Sequence, residues 1–326
     1  MTGTANGALV RSAAPPREDL RLALRAASLY YVDGLTQADI AARLGVSRPT
    51  AGRLIARAKA RGLVRIEVVV PPGLRDDLHA DEERELEARF GLVEAVVVGH
   101  GFETLGRAAA ALLTRRVADT DTMGFTWGPE IVAMAGALPS GVATCRTVVQ
   151  LDGAMSMANY QTGTDYVLGR CSEQLQAQTI RLPAPLYADP ATVSSLRSDS
   201  VISRALAAGA AADLMIFGIG PVSTSTTLFA GNFLDTSMLD ELEARGAVGE
   251  IGGRFFDADG RPIDTELQQR AVSVRLEDVK ACGKTILLCD SDAKHVATLA
   301  ALRGGLAKFL VCDIDCARWL LSHGGR

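Results

Sequence analysis

No two cysteines in this 326-residue chain stand at CxxC spacing. The six present (Cys145, Cys171, Cys282, Cys289, Cys312, Cys316) are scattered, so neither a zinc site nor a disulfide frame is expected, and buried free thiols are the reading. Histidine is scarcer: of His79, His100, His295 and His323, only His295 falls beside a candidate loop, which leaves little for acid-base catalysis. No stretch approaches the roughly 20 uninterrupted apolar residues that a membrane span needs, and the first residues carry no signal-peptide core. A cytoplasmic protein with no membrane partner, metal or organic cofactor is the expectation. Aromatic residues make up 5% of the chain against 48% apolar residues, with Ala and Gly abundant, a composition suited to close packing of helices on a sheet.

The net charge of −4 hides a division. Residues 1–70 hold 11 Lys and Arg against 5 Asp and Glu, whereas residues 71–326 hold 23 against 33. A front of +6 on a body of −10 is the footprint of a DNA-binding module attached to something else.

The sharpest local pattern is TQADIAARLGVSRPTAGRLI, from Thr36 to Ile55. The Thr36 hydroxyl can cap a helix whose Ile40, Ala41 and Leu44 share a face, with Ala41 small where a second helix crosses. Gly45 supplies the freedom of a tight turn, Val46 fills the angle between helices, and Ser47 caps the second helix. Ala51, Leu54, Ile55 and Ala58 then face inward. This leaves Ser47, Arg48, Pro49, Thr50 and Arg53 on the exposed start of the second helix, the part such motifs place in the major groove of double-stranded DNA. Pro49 lies in the first turn, where its missing N–H costs little. Arg48 and Arg53 are the expected base readers, Thr36 and Gln37 accompany them at the first helix start, and Arg57, Lys59 and Arg61 suit phosphates. The competing reading, a helical pair whose arginines form a solvated face, is disfavoured by the charge division. Gly62 to Val68 reads as a turn into a strand, a wing.

Punctuation divides the rest. Residues 1–17 read as a disordered arm, 18–70 as the winged helix-turn-helix with a supporting helix from Arg21 to Tyr31, and 71–90 as a linker. Pro71-Pro72-Gly73 breaks the chain before a charged connecting helix with Leu74, Leu78, Leu86 and Phe90 in register; a solvated surface helix and a dimer contact fit it equally. From residue 91 to 326, apolar runs (VEAVVVG, TMGFTW, CRTVVQLDG, LMIFGIG, TILLCDSD, FLVCDID) alternate with helical stretches at Thr104 to Val117, Glu130 to Leu138, Thr164 to Gln176 and Ala293 to Arg303. That alternation predicts an α/β, doubly wound, mostly parallel sheet.

Ligands of such sheets bind at the carboxyl ends of the strands, and polar and glycine-rich residues gather there. The candidates are Thr126-Trp127-Gly128, Gln150-Leu151-Asp152-Gly153, Gly218-Ile219-Gly220 with the hydroxyl cluster Ser223 to Thr227, and the stretch from Asp290 to Lys294. Each has a plainer reading. The GxG can be a simple turn, the hydroxyls a polar loop, Asp152 and Glu250 caps, and Trp127 a core residue. Lys294 opens a helix, where a cation opposes the dipole, so contact with an anion is favoured.

GAVGEIGGRFFDADGRPID at 246–264 and AALRGGLAKFLVCDIDCARWLL at 300–321, with TWG and VQLDG before them in order, resemble the SorC family of bacterial sugar-binding transcriptional regulators over nearly the whole chain. The resemblance implies an effector domain like the sugar-phosphate isomerase/deaminase fold, a tetrameric homo-oligomer, operator DNA as partner, and DNA affinity altered by a bound sugar, polyol or sugar phosphate. It implies effector contacts from Thr126, Trp127, Gly128, Asp152, Gly153, Gly218 and Gly220, hydroxyl acceptance by Glu250, and an anion at Lys294. The chain departs from the family where Pro129-Glu130 replaces a small hydroxyl or basic residue, and where Ala154 replaces a second glycine. Pro129 has no N–H for a phosphate, and Glu130 and Asp152 repel one, which favours a neutral sugar or polyol. Lys294 points the other way, to a phosphosugar. The alternative function is an isomerase- or deaminase-like enzyme with an added DNA-binding front.

Overall fold

A computed structural model describes residues 17–66, 78–154, 156–157, 160–161, 163–224, 226–231 and 233–325. The chain divides into two compact units, Met1–Val70 and Pro71–Arg326. In the first, α1 (Arg17–Tyr31), α2 (Gln37–Leu44) and α3 (Arg48–Ala60) enclose a small core of Ala23, Ala26, Leu29, Ile40, Ala41, Ala51, Leu54, Ile55 and Ala58. Leu44 and Val46 pack partly buried at its rim. The small residues let the three helices approach closely. Of the expected wing, residues 62–66 form a turn and irregular chain with no strand, and 67–70 lie outside the described residues, as do 1–16 of the arm and 71–77 of the linker.

The second unit opens with α4 (Ala80–Phe90), β1 (Glu94–Val98), α5 (Phe102–Arg116), β2 (Thr122–Phe125), α6 (Pro129–Ala137) and β3 (Thr147–Gln150). It continues with β4 (Ser156–Met157), β5 (Tyr160–Gln161), α7 (Thr164–Gln174), β6 (Gln178–Ile180), α8 (Pro190–Ser198), α9 (Ser200–Ala210), β7 (Leu214–Gly218) and β8 (Gly220–Pro221). The last part runs α10 (Thr227–Ala230), α11 (Thr236–Ala244), β9 (Gly249–Ile251), β10 (Arg254–Phe256), α12 (Glu266–Arg270), α13 (Leu276–Ala281), β11 (Lys284–Cys289), α14 (His295–Arg303), β12 (Phe309–Asp313) and α15 (Ile314–His323).

Each of the six apolar runs contains a strand of one seven-stranded sheet, ordered β1-β12-β11-β7-β2-β3-β6, with every pairing parallel. Alternate residues feed two cores. Met215 and Phe217 of β7 join one with Leu86, Leu299 and Leu320, while Leu214 and Ile216 join the other with Leu105, Ile131 and Val167. Burial of both faces is the reason these strands read as unbroken apolar runs. The seventh strand, β6, escapes the pattern because it is an edge strand with Gln178 and Thr179 exposed. In a small antiparallel sheet, β10-β9-β8, the glycine-rich motif around Glu250 supplies β9 and β10 and Gly220–Pro221 supplies β8; strands of two or three residues are too short to show alternation. The expected helix at Ala293 to Arg303 begins as a 3-10 turn over Asp292–Lys294 before α14.

The charged helix α4 has an intramolecular task. β1 is an edge strand, and its Val97 and Ala95 N–H groups donate to Glu83 Oε1 (2.9 Å) and Glu87 Oε1 (3.1 Å). The carboxylates thus satisfy backbone donors that an uncovered edge would offer to another strand. All six cysteines are buried free thiols.

Candidate functional site

The turn between α2 and α3 is built by its caps. Thr36 Oγ1 accepts the Asp39 N–H (3.3 Å) and Asp39 Oδ2 accepts the Thr36 N–H (3.3 Å), closing a capping box. Gly45 ends α2 at φ 66°, a left-handed conformation that a side chain would strain. Ser47 caps α3 by accepting the Thr50 N–H, its hydroxyl also meets Thr50 Oγ1 at 2.8 Å, and Arg53 donates to that same Oγ1 at 3.2 Å. Ser47, Arg48, Pro49 and Arg53 are exposed together at the start of α3, Thr50 is half-buried among them, and Thr36 and Gln37 are exposed at the start of α2. Arg57 donates to Asp19 at 3.4 Å across a half-exposed pair, a weak surface tie.

In the second unit a cavity of about 260 Å³ opens over the carboxyl ends of the four adjacent strands β11, β7, β2 and β3. This is where the chain's winding direction reverses, the usual ligand position of such sheets. The loop after β2 brings Thr126, Trp127 and Gly128 to it, the end of β3 brings Asp152, β7 and β8 bring Gly218 and Gly220, β9 brings Glu250, and the 3-10 turn brings Lys294. Gly153 does not line it. A methyl there would lie 2.3 Å from the Pro185 carbonyl oxygen, so this glycine serves close backbone packing. Ile219 lines it between its two glycines, and Pro221 of β8, Leu228 of α10 and Gly252 after β9 line it without having been candidates; an apolar residue in so short an element, or one more glycine in a glycine-rich motif, gives no pattern to find it by.

The cavity is rich in acceptors. Asp152 is fully buried and neither carboxylate oxygen has a hydrogen-bond partner. Burial first, and Glu250 second, push its carboxyl well above the usual range; the Trp127 and Asp152 amides ease this without forming well-aligned bonds. Glu250 is raised to about 7 by burial, opposed by the Gly253 N–H on its Oε2 at 2.7 Å. In the antiparallel ladder Gly220 stands opposite Glu250, and a methyl on it would fall 2.1 Å from Glu250 Oε1. Gly220 therefore makes the seat for that carboxyl. Trp127 is both core and wall: it packs with Leu186, Leu228 and Phe255, and its buried Nε1 has no hydrogen-bond partner. Lys294 does not offer a free charge. Its ammonium pairs with Glu130 and lies 3.5 Å from Asp290, so the anion favoured at this helix start comes from the chain itself. Burial draws Lys294 down to about 8, and Asp290 is raised to about 6 by burial and by Asp313. No histidine is among the described residues lining the cavity; His295 is buried with its ring 5.3 Å from Trp319.

Residues 77–322 match the family model of a sugar-binding domain, and residues 27–72 match that of the MarR family. The chain belongs to the SorC family of sugar-binding transcriptional regulators. This SorC-family chain is 31% identical to the deoxyribonucleoside regulator of Bacillus subtilis over 314 residues, covering 94% of the chain and 99% of that protein. It is 29% identical to the erythritol catabolism regulatory protein EryD of Brucella abortus, covering 94% and 98%. The crystal structure of the full-length sorbitol operon regulator SorC from Klebsiella pneumoniae superposes with a TM-score of 0.69 at 26% identity, covering 93% of the chain and 99% of that protein. The SorC-family chain is thus a DNA-binding transcriptional regulator with a helix-turn-helix and a sugar-binding domain.

Proposed function

We propose that this regulator's affinity for its operator is set by a neutral sugar or polyol in the cavity. Asp152 and Glu250 exchange hydrogen bonds with the ligand's hydroxyls, the Trp127 N–H donates to a ligand oxygen, and Arg48 and Arg53 read bases in the operator. The observation that carries this is the balance of charge. Among the described residues lining the cavity Lys294 is the only cation, and it is already paired with Glu130, while both oxygens of buried Asp152 lack a donor. A polyhydroxyl compound supplies donors to such a site, whereas a phosphate brings a buried anion for which the lining holds no unpaired cation. The names of the three relatives refer to deoxyribonucleosides, erythritol and sorbitol, all polyhydroxyl compounds. The protein works by shifting between DNA-competent and DNA-incompetent arrangements of a cytoplasmic homo-oligomer, a tetramer, with a coupling on the order of 1 to 3 kcal/mol per site and without turnover, metal or cofactor.

The test is thermal stabilisation of the full chain against free sugars and polyols, each paired with its phosphate ester. A ligand at 100 times its Kd stabilises by about 2.7 kcal/mol. A shift with a free compound is the expected result; a shift with phosphate esters alone refutes the neutral-ligand reading.

A further inference from the structure

Glu130 is the second residue of α6, behind Pro129 and the N-terminal cap Gly128. Its side chain is 2% exposed, and it is held in place by room that two glycines leave. A methyl on Gly218 would lie 3.1 Å from Glu130 Oε2, and one on Gly128 would lie 3.3 Å from the same atom. Those glycines follow β2 and end β7, neighbouring strands, so the seat exists only in the assembled sheet. A helix start favours an anion, and the Lys294 ammonium meets the carboxylate there. A cation, a helix start and space cleared by glycines are what would hold a phosphate group.

From this arrangement we infer that Glu130 selects the class of effector: its carboxylate is a tethered anion in the position a phosphate would take, and it closes the cavity to phosphorylated ligands. The inference rests on the neutral-ligand reading above and assigns that selectivity to one residue. A phosphorylated ligand must either expel Glu130 from Lys294 or bury a second anion beside it, and both oppose binding. Pro129 adds to the exclusion, since the first position of α6 has no N–H to donate.

The experiment compares the parent with Glu130→Ser, which removes charge and volume, and Glu130→Gln, which removes charge alone. Each full chain is melted with inorganic phosphate and with the phosphate esters of the panel. Operator binding and far-UV circular dichroism report folding, and if Glu130→Ser does not fold, Glu130→Gln decides. Glu130→Ser is expected to bind the phosphate probes roughly tenfold or more tightly than the parent, read as a raised melting temperature. Adding Lys294→Met should abolish the gain, and the double variant also corrects for general stabilisation by phosphate salts. If both variants stay as unresponsive as a parent that responds to free polyols, the selection by Glu130 is refuted while the neutral reading stands. A parent already stabilised by the esters overturns the neutral reading itself.

Discussion

Replacing Glu250 by glutamine measures what the cavity's carboxyl pair costs the fold. Glu250 is 8% exposed, and burial lifts its carboxyl from 4.5 to about 7. An acid raised in the folded state keeps a proton that the unfolded chain has released. Its contribution is complete below the unfolded value of 4.5 and is lost as pH rises through about 7. At about 1.4 kcal/mol per pH unit, the interval corresponds to about 3 kcal/mol. Asp152, raised by burial and by Glu250, loses stability with the same sign, as does Asp290 as pH rises through about 6. Lys294, lowered to about 8, acts in the opposite sense but only above that pH, where the unfolded chain binds the extra proton. Glu250→Gln carries no charge at any pH and removes the like-charged neighbour of Asp152. Urea unfolding followed by tryptophan fluorescence suits the measurement, because both tryptophans, Trp127 and Trp319, lie in the sugar-binding unit. From about pH 5 to about pH 8 the parent should lose about 3 kcal/mol more than the variant, which should be the more stable of the two at the upper end. The variant should also respond less to effector while binding operator DNA unchanged. Equal pH dependence in the two proteins would show that Glu250 is not held protonated by burial, and the argument would fail.

Arg48→Ala or Arg53→Ala should each cost about 1 to 3 kcal/mol of specific operator binding, measured by titration of labelled operator, with effector-induced stabilisation intact. Unchanged affinity in both variants would remove the start of α3 as the reading surface. Gly220→Ala and Gly153→Ala should fail in different ways. At Gly220 the new methyl meets the flexible end of Glu250, so effector response should fall with little change in melting temperature. At Gly153 it meets the backbone of Pro185 and Leu186, so stability should drop by about 1 to 3 kcal/mol.

The helix-turn-helix was legible because its determinants are local: Thr36 with Asp39, Gly45, and Ser47 with Thr50 act within a few residues of one another. The strands were legible for a related reason. Burial on both faces leaves LMIFG or FLVCD no position for a polar residue before the carboxyl end, so apolar runs mark strands and the polar residues after them mark the loops. Eight of the nine expected effector contacts line the cavity because strand ends and cavity mouth coincide in a parallel sheet. Gly153 is the exception, since a glycine required by backbone packing carries the same letter as one required by a ligand.

What one residue does to another across the sheet was not legible. The charged run of α4 offered a solvated face or a dimer contact, and only the strand order shows Glu83 and Glu87 covering the edge of β1. By itself the sequence determined a basic three-helix reading head and a parallel α/β body, because both follow from local caps and from hydrophobic period. Tertiary structure alone decided the character of the cavity. By setting β11, β7, β2 and β3 side by side, it brings Lys294 onto Glu130, 164 positions away in the chain, and leaves Asp152 buried without a donor. The charge of a site depends on which groups are neutralised by neighbours, and neighbours are fixed by the order of strands.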